Sequence, residues 1–307
     1  MDGKIKMCNR GFHACESPFD VFDYYTMIDS RFCEVEQDGN ISKWDRGTKI
    51  CSSKIKIKAE LKLADMINLG VEWLKEITSP EKIKTSIKDN SSGNNAQIGS
   101  SGDGAKIGSS GYGAKIGSSG NNAKIGSSGD GAKIGSSGDG AQIGSSGNNA
   151  KIGSSGYDAQ IGSSGYDAQI GSSGNNAQIG SSGNNAKIGS SGDGAKIGSS
   201  GYDAQIGSSG DGAQIGSSGY GAKISSSGYG AKIDSTGEDC VIMCAGINSV
   251  AKASKGSWVT LSEWSYSEEK QRYIPICVKT EFVDGEKIKA DTYYSLKGGV
   301  FVEWIND

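Results

Sequence analysis

The only histidine of the chain, His13, stands near Cys8, Cys15 and Cys33, and these are residue types that hold zinc. The spacing Cys-x4-His-x-Cys matches no common zinc finger. A strand here would place only His13 and Cys15 on one face, and two ligands do not make a metal site. The same pair could supply a nucleophile and a base, but no third group is in evidence to orient the histidine. These residues read as core side chains. No metal, cofactor or catalytic residue is therefore expected, and the chain is not expected to be an enzyme.

Carboxylates recur elsewhere, inside a tandem repeat that fills residues 96–239. The unit is Ala-[Lys/Gln]-Ile-Gly-Ser-Ser-Gly-x-x, repeated every nine residues from Ala96 to Ala231 in sixteen copies, with decayed copies at 87–95 and 240–248. Its period resembles that of calcium-binding nonapeptide β-rolls, whose repeat requires a fixed aspartate. That aspartate is missing from the copies carrying Asn121-Asn122, Asn148-Asn149, Asn175-Asn176 and Asn184-Asn185. Asp103, Asp130, Asp139 and Asp193 are accordingly expected to be turn residues. No Gly-Lys-Ser/Thr follows a glycine run, which excludes a P-loop.

The repeat must be positioned by strands. Ala and Ile lie two apart with Lys or Gln between them, an alternation that turns the apolar pair inward. The remaining Gly-Ser-Ser-Gly-x-x is turn chemistry ending on Gly, Asn or Asp, residues that tolerate a left-handed backbone. Such glycine density excludes a helix. The expected fold is mainly β: a parallel β-solenoid with two units per coil, three units per triangular coil being the competing solution. At about 4.8 Å per coil the array would be a rod of roughly 40 Å. Coils this small hold only because each covers the next, and the aligned serine hydroxyls are expected to satisfy polar groups along the rod.

Two features of the rod's surface could recognise a partner. One is the outward Lys/Gln column, including Lys106, Lys124, Lys133 and Lys151. The other is a set of six turn tyrosines, Tyr112, Tyr157, Tyr166, Tyr202, Tyr220 and Tyr229; tyrosine offers apolar area and a hydroxyl with little entropy to lose. The bland alternative is that both keep the rod soluble and cap its turns. A flat regular array also suggests ice binding, though that function usually uses ranks of threonine.

The flanks have ordinary composition. Residues 1–86 read as an α/β cap over the edge of the first coil. In this cap Ser17 and Pro18 start a helix bearing Phe19, Phe22 and Tyr25 on one side. Strands follow at about 31–37 and 54–63, then a helix at about 66–77. Residues 249–307 read as a small all-β domain with turns at Val283-Asp284-Gly285 and Lys297-Gly298-Gly299, and with Trp258, Trp264 and Trp304 as a candidate aromatic core or, alternatively, an exposed binding face.

Composition limits the function classes. Net charge is −3 over 307 residues, with neither the basic face of a nucleic-acid binder nor the acidity of a DNA mimic. The seven cysteines are irregularly spaced, no apolar leader opens the sequence, and no run reaches the ~18 apolar residues of a membrane span. A cytoplasmic protein without membrane contact is expected.

GFHACESPFDVFDYY near the start, the short Gly/Ser repeats, and the closing KGSWVTLSEW and ICVKTEFVDGEKIKADTYYSLKGGVFVE together resemble a group of phage and prophage proteins of gut bacteria. The resemblance implies a genomic setting and no activity, so no residue roles are carried over. The function expected is non-catalytic binding of a host or phage macromolecule, with inhibition of a host defence system as one form. A structural fibre or virion accessory is the alternative, and the rod could also pair laterally or end to end with its own copies.

Overall fold

A computed structural model describes residues 5, 7, 9–26, 30–44, 48–77 and 93–305. Cys8 and most of the decayed copy at 87–95 lie outside them. Every nonapeptide supplies one four-residue strand, and successive strands alternate between two sheets. One sheet climbs in steps of eighteen residues from Gln97–Ser100 to Val241–Cys244, and the other from Lys106–Ser109 to Val250–Ala253. Neighbouring strands are parallel and in register, Ile over Ile and Ser over Ser. The coil therefore holds two units, as the thin Ala/Ile core requires.

The ladder that joins coils is regular: Lys115 N–H donates to Ala96 O at 2.8 Å, and the pattern repeats up the rod. Ala and Ile are buried throughout, each Ile contributing on the order of 1.5–3 kcal/mol. The last turn position has the left-handed backbone that its residue types foretell, with φ of 56° at Asn122, 54° at Asp158 and 68° at Gly104. The glycine after the serine pair is fixed by close approach, because a Cβ on Gly129 would collide with the Gly111 carbonyl.

The first serine of each unit points inward and is buried, and its hydroxyl differs from expectation. From Ser118 to Ser235 these hydroxyls make no hydrogen bond among the described residues. Rungs stand about 4.8 Å apart, whereas hydroxyl pairs need about 2.7 Å, so stacked serines cannot reach one another.

In the amino-terminal region β1 (Phe12–Cys15), β2 (Phe32–Lys43) and β3 (Lys49–Leu61) form an antiparallel sheet in the order β1-β3-β2. The expected helix after Ser17 is a short 3-10 helix, Phe19–Asp23, in which Asp20 N–H donates to Ser17 Oγ at 3.3 Å. Phe19 and Phe22 are buried but Tyr25 is exposed, because five residues of 3-10 helix end before reaching it. The helix α1 spans Leu63–Ile77. Phe19, Phe22, Phe32, Ile67, Val71 and Leu74 form a second core.

As far as residues 5–77 are described, this region does not sit over the edge of the first coil. Among the described residues α1 lies along the flank of the rod, over the strands Gln142–Ser145, Gln160–Ser163, Gln178–Ser181 and Lys196–Ser199. Its apolar stripe needs an apolar surface, and the flank provides a column of glycines.

The carboxy-terminal segment continues the solenoid before it closes it. Trp258–Ser267 adds in parallel to Val241–Cys244, and Arg272–Phe282 folds back on it. Tyr294–Lys297 and Val300–Glu303 extend the other sheet as an antiparallel hairpin. Both expected turns form. Asp284 Oδ1 accepts the Glu286 and Ile288 N–H groups at 2.8 and 3.1 Å, and the Glu263 carboxylate accepts those of Gly298 and Gly299 at 2.8 and 2.9 Å. The three tryptophans do not share a core. Trp258 packs tilted against Phe282 at 5.1 Å between ring centroids on the surface, Trp264 Nε1–H donates to Ala245 O, and Trp304 meets Tyr293. Val259, Leu261, Val283, Ile288, Tyr294 and Leu296 fill the interior instead.

Candidate functional site

In each strand Lys/Gln and the following glycine face outward, so each sheet shows a long-side-chain column beside a glycine trough. The two sheets carry the same pattern and differ in what covers them. On one, the trough glycines from Gly108 to Gly216 are buried; on the other, those from Gly99 to Gly189 are exposed.

The covered face shows how such a trough is filled. Leu74 and Val71 sit on Gly162, Phe19 and Val71 on Gly180, and Leu63 on Gly216. From Leu63 to Leu74 a helix rises about 16 Å, and from Gly216 to Gly162 the rungs span about 14 Å. The axis of α1 therefore runs along the trough. Phe19 is held between Gly180 and Gly70 of α1, at each of which a Cβ would come within 2.7 Å of its ring.

The long-side-chain column clasps the flank of this helix unit. Gln160 Nε2 donates to Asp20 at 2.7 Å and Gln178 Nε2 to Asp23 at 2.9 Å. Lys196 Nζ donates to the Phe22 carbonyl and pairs with Asp23 at 3.6 Å. Burial raises the Asp23 carboxyl above its ordinary range against the pull of Lys196.

The open face carries Gln97, Lys115, Lys133, Lys151, Gln169, Lys187, Gln205 and Lys223 in its column, and the strands that bear these five lysines carry no carboxylate. Beside them runs a groove of about 1460 Å³ reaching from Gln97 to Met243. A Cβ at Gly117, Gly135, Gly153, Gly171 or Gly189 would meet nothing within 4 Å. At its far end Met243 replaces the trough glycine. There Val241, Met243, Trp258 and Phe282 form an exposed apolar patch.

The candidate residues divide between these surfaces. Lys133 and Lys151 lie on the open face; Lys106 and Lys124 lie on the other, near its first edge. Burial and the like charge of Lys106 lower the Lys124 ammonium. Tyr112, Tyr166, Tyr202 and Tyr220 stand on the turns entering the open face, each three residues before a column residue, whereas Tyr157 and Tyr229 stand on the opposite edge. The six are 49–63% exposed.

At the tyrosine position the other copies carry mostly Asn or Asp, and these side chains form a ladder. Asn121 N–H donates to Asp103 Oδ1 at 2.8 Å, and Asp139 N–H to Asn121 Oδ1 at 2.9 Å. The carboxylates are acceptors for backbone N–H groups, a role in which asparagine serves equally. Tyrosine offers no such acceptor, so the ladder breaks at each one, a loss of about 1 kcal/mol per hydrogen bond.

Cys8 lies outside the described residues, and the described candidates His13, Cys15 and Cys33 do not converge. β1 places His13 opposite Cys51, while Cys33 lies opposite Glu60, about 30 Å further along β3. Burial and then the Asp20 carboxylate raise the Cys15 thiol to about 11, which keeps it protonated at neutral pH. No group of three or more metal-ligating side chains occurs among the described residues.

The difference between the two faces was open to sequence reasoning through parity. Copies an odd number of units apart must face opposite ways in a two-unit coil, and sorting the column by parity isolates Lys115, Lys133 and Lys151 on one side and Gln142, Gln160 and Gln178 on the other.

No described helix is long and apolar enough to cross a membrane. Neither a curated protein nor a solved structure matches the chain. Residues 1–69, which hold β1 to β3 and the first half of α1, match the model of a domain of unknown function, DUF7666.

Proposed function

We propose that this protein is a non-catalytic binding module that presents the open face of its solenoid to a macromolecular partner. The observation that carries this reading is the asymmetry of two chemically similar faces. One is filled by the chain's own amino-terminal region, and nothing among the described residues covers the other, which presents five lysines, a glycine trough and an apolar end. The tyrosines support it, since each takes the place of a ladder acceptor and is left exposed at a rim. The finer form is a phage-borne protein acting in the host cytoplasm, with inhibition of a host defence system as one outcome. It rests on the resemblance of the terminal segments to phage proteins.

The test is a tagged pull-down from host lysate, comparing the natural protein with the Lys133→Glu/Lys151→Glu/Lys187→Glu variant. One stoichiometric partner, lost with the variant, is the expected result. Recovery of phage structural proteins alone would replace this reading with a fibre or virion accessory. A partner retained by the variant would remove the open face from the account.

A further inference from the structure

We infer that the open trough is the docking site for an acidic amphipathic α-helix of a partner protein. This rests on the binding-module reading above and names the chemistry of its partner. The protein already contains the template. On the covered face a helix lies along a glycine trough, with Leu63, Val71 and Leu74 pressed onto backbone that has no side chain to hold them off. The column beside it bonds acidic side chains, Asp20 and Asp23, of the docked unit.

The open face repeats both parts and makes the second more cationic. Its trough runs without interruption from Gly99 to Gly207, six rungs or about 29 Å. That length takes roughly 19 residues of helix. Where the covered column carries Gln142, Gln160 and Gln178, of which Gln160 and Gln178 bond Asp20 and Asp23 of the 3-10 helix beside α1, the open one carries Lys115, Lys133 and Lys151 in succession. Three lysines on successive rungs about 4.8 Å apart concentrate positive charge along one edge of the trough, which Glu or Asp along one flank of a helix would complement. The exposed Met243 and Trp258 at the trough's end would receive an apolar residue at the helix terminus.

Two other occupants fit less well. A second open face would set lysine column against lysine column. A second copy's α1 is already engaged, since Ile67, Val71 and Leu74 are fully buried against their own chain.

The probe is a synthetic helix-forming peptide of about 19 residues with Leu and Ala on one face and Glu on both flanks. It is compared by fluorescence anisotropy with an isomer carrying Lys in place of Glu. Binding is measured to the full chain, to Gly153→Leu/Gly171→Leu, which fills the trough, and to Lys133→Glu/Lys151→Glu. Circular dichroism and the melting temperature of each variant establish that it is folded. The expected result is salt-sensitive binding of the acidic peptide, weakened at least about tenfold in both variants, with the basic isomer failing to bind.

Equal binding of the two peptides, no binding of the acidic one, or unchanged binding to the filled trough would overturn the inference. So would self-association abolished by Gly153→Leu/Gly171→Leu, which would make a second copy the occupant. The binding-module reading fails separately, by the pull-down. A partner that is captured through the open face and contacts it with a strand or loop would leave that reading standing and end this one.

Discussion

Gly171 and Gly180 occupy the same position in adjacent repeats and face opposite ways, so one substitution made at each tests the arrangement of the faces. A Cβ at Gly180 would lie 2.7 Å from Phe19 Cζ and 3.3 Å from Val71 Cγ2, inside the 3.5–4.0 Å of ordinary carbon contact. Phe19 cannot withdraw, because Gly70 is packed on its other side and Phe22 lies at 6.3 Å between ring centroids. Gly180→Ala therefore overpacks the interface, at about 1–3 kcal/mol. At Gly171 a Cβ meets nothing within 4 Å, and non-glycine residues occupy the equivalent place at Ser225 and Met243. Gly171→Ala should stabilise by about 0.4–1 kcal/mol, through the entropy of the unfolded chain. The assay is urea denaturation followed by Trp73 fluorescence, since Trp73 packs against the core that docks on the trough. If both variants shift the midpoint in the same direction by similar amounts, the assignment of one face as covered and the other as open is wrong.

Other expectations concern the interior. Ser163 is fully buried with an unpartnered hydroxyl; its own column ends on Ala253, and the matching column of the other sheet ends on Cys244 and Leu261. Ser163→Ala should raise stability by about 1 kcal/mol in a thermal melt; a clear loss would show that the hydroxyl is satisfied. Burial lifts the Cys244 thiol to about 12, so at pH 8 only about one molecule in ten thousand carries the thiolate. Under native conditions iodoacetamide should modify exposed Cys33 and leave Cys244 untouched, as read by peptide mass spectrometry. Rapid native modification of Cys244 would show that the last coils open. Asp234 replaces a trough glycine and pairs with Lys252 at 2.9 Å, both side chains being largely buried. Asp234→Ala should lower stability by about 3 kcal/mol, with Asp234→Ala/Lys252→Met recovering much of the loss. A double variant no better than the single one would locate the penalty outside the pair.

The solenoid was legible because its determinants are local and repeated. Ala and Ile two apart give the inward face, and a last residue restricted to Gly, Asn or Asp gives the left-handed turn. The thin core these residues can fill gives two units per coil. The α1 helix, expected at about 66–77, spans Leu63–Ile77. Its destination was not legible, because the partner of Leu63, Val71 and Leu74 is a column of glycines, and glycine carries no apolar signal in a sequence. The region's place ahead of the repeat therefore suggested a cap at the rod's edge, where unpaired backbone is exposed, rather than a seat on its flank. The tyrosines looked like one group because they share a place in the repeat, yet a two-unit coil sends alternate copies to opposite edges. The inner serines misled for the same reason of scale. Alignment in sequence suggests mutual bonding, and rung spacing forbids it.

The central claim, that the open face is the working surface, is tested most directly by site-specific photo-crosslinking in host lysate. A photoreactive phenylalanine analogue is placed in turn at Gly153 in the open trough and at exposed Ile305 near the carboxy terminus. The expected result is one dominant crosslinked species from position 153 and none from position 305. Crosslinking from position 305 with none from position 153 would contradict the account.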